Sequence, residues 1–236
     1  MNRILIMTDS QLLYTKFNEI IHTKNLPSKE FIFGCTIETD FFKKKNVKKI
    51  LVNDQVDTIL NSYEIIISLH CKQFFSKELV NNIVCINIHP GYNPDNRGFY
   101  PQVFSIINDT NIGSTIHIMD EKLDHGSIID REKVNKYIWD TSETLYKRVV
   151  NSEINLINKN LKSILNGSYS LKKIKRKGHL FLKSDFDEIC KIDLNETGSF
   201  LKFYNRLRAL SHENYKNAYF LDENGEKVFL KIEITK

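Results

Sequence analysis

An amide, an imidazole and a carboxylate, placed as Asn87, His89 and Asp124 are, can carry out acyl transfer. Asn87 and His89 close a short apolar run in the stretch VCINIHPGYNPDNRG, residues 84–98. A strand there, with its period of two, puts both on one face, about 6.6 Å apart along the chain. That separation lets them flank a small reacting group. Asp124 lies in LDHGSII, residues 123–129, in a turn marked by Gly126. The amide can donate to an oxyanion, and the imidazole can shuttle a proton. The carboxylate can orient the imidazole and favour its charged form. Two roles stay open for His89: an imidazolium facing the oxyanion, or an imidazole taking a proton from an attacking amine. No covalent nucleophile is needed, because a deprotonated amine is already nucleophilic. Cys85 shares the strand face of Asn87, but a small thiol buried in a core is the plainer reading.

The elements that must hold these residues follow from the pattern of apolar positions. RILIM at 3–7 reads as a short buried strand, and Asp9-Ser10 as a helix start. Leu12, Leu13, Phe17, Ile20 and Ile21 then share a helical face. FIFGCTI at 31–37 and EIIISL at 64–69 are further strands, residues 56–60 lie in a helix, and residues 76–80 begin another. With the strand at 84–88, strands and helices alternate. That is the signature of an α/β fold with a mostly parallel sheet covered by helices on both faces. Ligands of such sheets bind beyond the carboxyl ends of the strands, where Asn87 and His89 lie.

Further on, residues 99–107 read as a helix, and residues 114–119 and 128–134 as strands around the Asp124 turn. A long amphipathic helix covers 141–165, capped by Thr141 or Ser142 and ended by Gly167. The polar, basic connector 166–178 is the expected boundary between a catalytic domain, 1–166, and a small C-terminal α+β region, 167–236. That region includes a helix within 195–210 and a hairpin, 218–221 with 227–234, around Asp222-Glu223-Asn224-Gly225.

Composition sets the class. The chain has 236 residues, 41% hydrophobic and 27% charged, enough to bury a core without disulfides or metal. A net charge of +5 is mild, and the run Lys172, Lys173, Lys175, Arg176 and Lys177 reads as a solvated linker rather than a nucleic-acid footprint. Cys35, Cys71, Cys85 and Cys190 form no metal-ligand spacing, so no metal is expected. They read as reduced thiols of a cytoplasmic protein. No apolar run approaches the ~18 residues of a membrane span.

INIHPG, NRG and GSTIHIMDEKLDHGSII resemble the catalytic half of the 10-formyltetrahydrofolate-dependent formyltransferases over roughly residues 1–165. Asn87, His89 and Asp124 match that family's Asn–His–Asp set, and the LDHG context selects Asp124 over Asp120 and Asp130. SLHCKQFFSKELV, HPGYNPDNRGFYPQVFSIIN and the tail RLRALSHENYKNAYFLDENGEKV are similar to sugar N-formyltransferases, closest to those acting on dTDP-4-amino-4,6-dideoxyglucose. The resemblance implies a Rossmann-like N-terminal domain, 10-formyltetrahydrofolate as formyl donor, a dTDP-linked amino sugar as acceptor and a homodimer built on the hairpin. It implies a place in surface-glycan synthesis such as lipopolysaccharide O-antigen, and no nucleic acid or membrane partner. Under it, Cys71, Lys72, Met119, Leu123 and His125 are expected around the folate. Ser10, His70, Asn93, Arg97, Gly98, Tyr215 and Asn217 are expected around the sugar nucleotide, with Arg97 pairing a phosphate and Tyr215 stacking a thymine. His117, inside a strand pattern, reads as a packed or cross-strand residue rather than a base. The competing functions are formylation of methionyl-tRNA, against which the short tail argues, and a non-catalytic folate- or nucleotide-binding scaffold, against which the intact Asn87, His89 and Asp124 argue.

Overall fold

A computed structural model describes residues 2–40, 42 and 46–235. The chain opens with β1 (Arg3–Thr8), whose last five residues are all buried, as a central parallel strand requires. Ser10 then caps α1 (Gln11–Thr23): its hydroxyl accepts from the Leu13 N–H at 3.3 Å. Leu13, Phe17 and Ile20 form the buried face of that helix. Next come β2 (Glu30–Cys35), β3 (Val47–Lys49), α2 (Val56–Ser62), β4 (Ile65–Leu69), α3 (Lys77–Asn82) and β5 (Val84–His89). After β6 (Arg97–Gly98) and α4 (Pro101–Ile107), the chain forms β7 (Ile112–Ile118), β8 (Ile128–Val134) and α5 (Ser142–Leu165). Thr141 takes the cap of α5, accepting from the Thr144 N–H, and Gly167 ends it at φ +65°. The chain closes with β9 (Leu180–Phe181), α6 (Lys183–Cys190), α7 (Phe200–Leu210) and the hairpin β10 (Ala218–Leu221) and β11 (Lys227–Leu230).

Seven strands form one sheet in the order β3-β2-β1-β4-β5-β7-β8. The pairs from β3 to β5 are parallel, and β7 runs antiparallel to β5. Register sets Ser68 beside Asn87 and Asn87 beside His117, so three polar residues make a row across β4, β5 and β7. Leu5, Met7, Ile66, Phe75, Leu79 and Cys85 are among the buried side chains that pack against this part of the sheet.

Asp9 joins the strand ends. One carboxylate oxygen accepts from the Thr36 N–H, the Thr36 hydroxyl and the Thr39 hydroxyl at 2.8, 2.8 and 2.6 Å, and the other from the Lys72 N–H at 2.8 Å. A buried carboxylate is tolerated when its lone pairs are met in this way. The segments following β1, β2 and β4 are thereby fixed at the carboxyl side of the sheet.

The chain divides into two interleaved units. The first comprises Met1–His89, Thr115–Glu132 and Glu153–Arg176, and the second Pro90–Ser114, Lys133–Ser152 and Lys177–Lys236. This differs from a boundary at 166. Residues 167–176 stay with the sheet because Ile128 and Lys172 exchange two backbone hydrogen bonds, at 2.9 and 2.8 Å. The second unit has its own core of α4, α6 and α7 residues, including Val103, Phe104, Phe186, Ala209 and Leu210. Its β6 and β9 pair in parallel, with Gly98 opposite Phe181; Gly98 has φ +87°, and a Cβ there would lie 2.2 Å from the Phe181 carbonyl oxygen. The hairpin is shorter than its apolar pattern suggests. β11 ends at Leu230, and the Ile232 N–H bonds the Ser211 hydroxyl instead of a strand.

Replacing Asp9 with alanine leaves two backbone N–H groups and two hydroxyls without their acceptor. A loss of about 3 kcal/mol or more of unfolding free energy is expected, read as a lower urea midpoint; an unchanged midpoint would show that Asp9 does not hold these ends.

Candidate active site

The site grows from the ends of β5 and β7 and the turn between β7 and β8. Asn87 and His89 are two apart on β5 and so share a face. Asp124 arrives from the turn with a left-handed backbone, φ +47°. Gly126 permits that turn to press on β7: a Cβ at this position would lie 1.9 Å from the Ile118 carbonyl oxygen.

These side chains meet at the Asp124 carboxylate, which is 8% exposed. The Asn87 amide nitrogen donates to Asp124 Oδ1 at 2.9 Å. The opposite amide orientation would set an oxygen against a carboxylate. His89 Nδ1 lies 3.4 Å from Asp124 Oδ2, with the His89 ring 4% exposed. Nε2 of His89 is on the far side of the ring from this contact.

His117 joins the same group, which the sequence pattern alone did not indicate. Its Nδ1 is 2.9 Å from the Ile118 carbonyl, so that nitrogen carries the hydrogen. Its Nε2 lies 3.4 Å from the Asn87 amide nitrogen and 3.3 Å from Asp124 Oδ1. In the neutral ring Nε2 accepts from Asn87, and once protonated it donates to Asp124. The signal was present as IHI in β7, but reading it needed the Asn87–His117 register.

A cavity adjoins this cluster. Apolar walls come from Phe74, Phe75, Met119 and Leu123, and polar edges from Ser68, Gln73, Asp120 and Lys122. Cys71, Asn87, His117 and Asp124 complete the lining. Apolar walls together with a few polar groups suit a heteroaromatic ring. Burial pushes the Cys71 thiol up to about 12, and the Cys85 thiol likewise to about 12. Neither is thiolate near neutral pH, so neither is an activated nucleophile.

Of the residues expected around the donor, Cys71, Met119 and Leu123 line this cavity, and Lys72 and His125 do not. Lys72 contributes its backbone N–H to Asp9 and leaves its side chain exposed, and the exposed His125 pairs with Asp120 at 2.7 Å. Of those expected around the acceptor, Ser10 spends its hydroxyl as the α1 cap, and the His70 ring is held 2.8 Å from Glu153. Asn93, Arg97, Gly98, Tyr215 and Asn217 belong to the second unit. There Asn93 is fully buried, Arg97 and Gly98 form β6, and the Asn217 amide donates to the Leu210 carbonyl at 2.9 Å. Tyr215 is 66% exposed, with its ring edge-on to His212.

The comparisons with known proteins agree with this chemistry. Residues 33–161 match the formyl transferase family, and residues 185–236 match the N-formyltransferase dimerization C-terminal domain. The chain is similar to a dTDP-4-amino-4,6-dideoxyglucose formyltransferase of Mycobacterium tuberculosis strain H37Rv, 44% identical over 181 residues, 77% of each chain. The solved structures that match over the whole chain include two formyltransferases. One is a 4-N formyltransferase from Francisella tularensis, at 37% identity and a TM-score of 0.94, covering 98% of that protein. The other is a sugar N-formyltransferase from Shewanella sp. FDAARGOS_354, at 37% identity and a TM-score of 0.96, covering 99% of it. The chain belongs to the formyl transferase family.

Proposed function

We propose that this protein moves a formyl group from 10-formyltetrahydrofolate to the amine of dTDP-4-amino-4,6-dideoxyglucose. The observation that carries the reading is the meeting of Asn87, His89 and Asp124 beside a cavity with aromatic and aliphatic walls. The 44% identical relative bearing that substrate's name supports the choice of sugar. When bound, the folate supplies a formyl carbonyl and a nitrogen leaving group. Phe74, Phe75, Met119 and Leu123 would clasp its ring, with Ser68 and Gln73 at its polar edge.

The chain's own residues handle charge and protons. As the sugar amine bonds to the formyl carbon, His89 takes the proton that the amine loses. Its imidazolium faces the oxygen gaining negative charge, and Asp124 balances it from the other side of the ring. The same proton passes to the folate nitrogen as the carbon–nitrogen bond breaks. Asn87 and His117 hold the Asp124 carboxylate in place throughout. The products are a formamido sugar nucleotide and tetrahydrofolate.

We place the enzyme in the cytoplasm as a homodimer that supplies formamido sugars for a surface glycan such as lipopolysaccharide O-antigen. Four unpaired cysteines suit a reducing compartment, and no helix among the described residues is long and apolar enough to cross a membrane. The dimer reading is supported by the match at 185–236 and by Leu221, Val228 and Phe229, which leave about two-fifths of their surface exposed on the hairpin.

Incubation with 10-formyltetrahydrofolate and dTDP-4-amino-4,6-dideoxyglucose should add the mass of one formyl group to the sugar nucleotide. Turnover on methionyl-tRNA with none on the sugar nucleotide would overturn the reading. His89→Asn should lower kcat by about 10²–10⁴-fold while dTDP-sugar binding, followed by calorimetry, persists; near wild-type turnover would remove His89 from the proton path. Phe229→Glu should convert a dimer to a monomer in light scattering at micromolar concentration. A wild-type protein that is already monomeric there would refute the dimer.

A further inference from the structure

His70 and the buried Glu153 form a titratable pair that the chemistry above does not use. Glu153 on α5 has no exposed surface, and its Oε1 lies 2.8 Å from His70 Nε2. Its Oε2 is buried with no hydrogen-bond partner among the described residues. Burial works to lower the His70 pKa, but the charge and the hydrogen bond of Glu153 together outweigh it and raise it above the ordinary histidine value. A buried carboxylate with one unmet oxygen is a poor choice for stability alone, since an apolar side chain of similar size packs there at lower cost.

The backbone supplies a second, independent observation. His70 has φ +55°, a left-handed conformation that a non-glycine residue adopts only when its surroundings enforce it. The consequence is directional. Strand alternation would send Ser68 and His70 to the same side. The left-handed residue breaks the alternation, so Ser68 and Cys71 line the cavity while the His70 ring goes to Glu153. The next residues are anchored separately. The Lys72 N–H bonds Asp9, and the Gln73 amide accepts from the Val52 N–H at 2.9 Å and donates to the Ile50 carbonyl at 2.7 Å. His70 is therefore the anchor on the strand side of Cys71.

We propose that the His70–Glu153 contact is a positioning device for the donor cavity: it holds the backbone at residue 70 in its left-handed form and so sets the wall made by Cys71 and Gln73. This rests on the reading that the cavity receives the folate donor. His70 and Glu153 are positioning residues and touch no reacting atom. Because the anchors at Lys72 and Gln73 persist without them, loss of the pair should loosen this wall without dismantling the site.

The test is the double variant His70→Asn/Glu153→Leu. It leaves no buried charge unpaired, and asparagine still tolerates the left-handed backbone. The Kd for folinic acid, measured by calorimetry, and the KM for the formyl donor should each rise about tenfold. The kcat and the KM for the sugar nucleotide should stay within about twofold. Glu153→Gln, whose amide oxygen still accepts from the His70 ring, should keep donor affinity within about threefold of wild type. His70→Gly/Glu153→Ala carries the same expectation as the first pair, should leucine overpack and block folding. Unchanged donor Kd and KM in a folded double variant, with wild-type binding intact, would overturn this inference alone. So would a fall in kcat with KM unchanged. A wild-type protein that does not bind folinic acid would overturn the reading of the cavity and this inference with it.

Discussion

A carboxylate that is almost wholly buried must find donors, and at Asp124 that requirement organises the site. Its partners come from two adjacent strands: Asn87 and His89 from β5, and His117 from β7. Those strands must run antiparallel, in the one register that places Asn87 beside His117, for all three to converge. A slip of either strand by one residue would turn its own members of the set to the opposite face. The turn that carries Asp124 is fixed in its own right, by the left-handed backbone at 124 and the close approach of Gly126 to Ile118. Sheet register and turn geometry thus agree on a single position for one charged group.

Asp9 shows what the same solution looks like without chemistry. It too is buried at a strand end and has both oxygens engaged. Its donors are backbone N–H groups and threonine hydroxyls, none of which gains or loses a proton in the physiological range. Asp124 faces two imidazoles and an amide instead. The two carboxylates are comparably buried and differ in the chemistry of the groups around them.

The parts of the fold carried by short-range pattern were legible in the sequence. The buried run at β1, the Ser10 cap, the i, i+2 pair on β5 and the turn at Asp124 all depend on neighbours within a few residues. The parts that were not legible depend on distant ones. His117 read as a packed or cross-strand residue, but its place at Asp124 depends on pairing with a residue 30 positions earlier. His70 read as a pocket residue because it follows a buried strand at a carboxyl end. Its left-handed backbone and a partner 83 residues away turn it elsewhere. β6 and β9 are two residues each and exist only through each other, 83 positions apart along the chain from Arg97 to Leu180. The connector at 166–178 was polar and basic, as a linker is, yet two backbone bonds between Lys172 and Ile128 draw its first part back to the sheet.

The two units are interleaved along the chain, and the crossings fall at residues that the sheet holds. The chain leaves the first unit immediately after His89 and rejoins it at Thr115, the residue paired with His89 across β5 and β7. It leaves again after Glu132 and returns at Glu153, the buried partner of His70. Each excursion into the second unit therefore begins or ends at a residue that the sheet itself holds in register or in a buried contact. Insertions of this kind can change in length and side chains while the strands that carry Asn87, His89 and His117 keep their pairing.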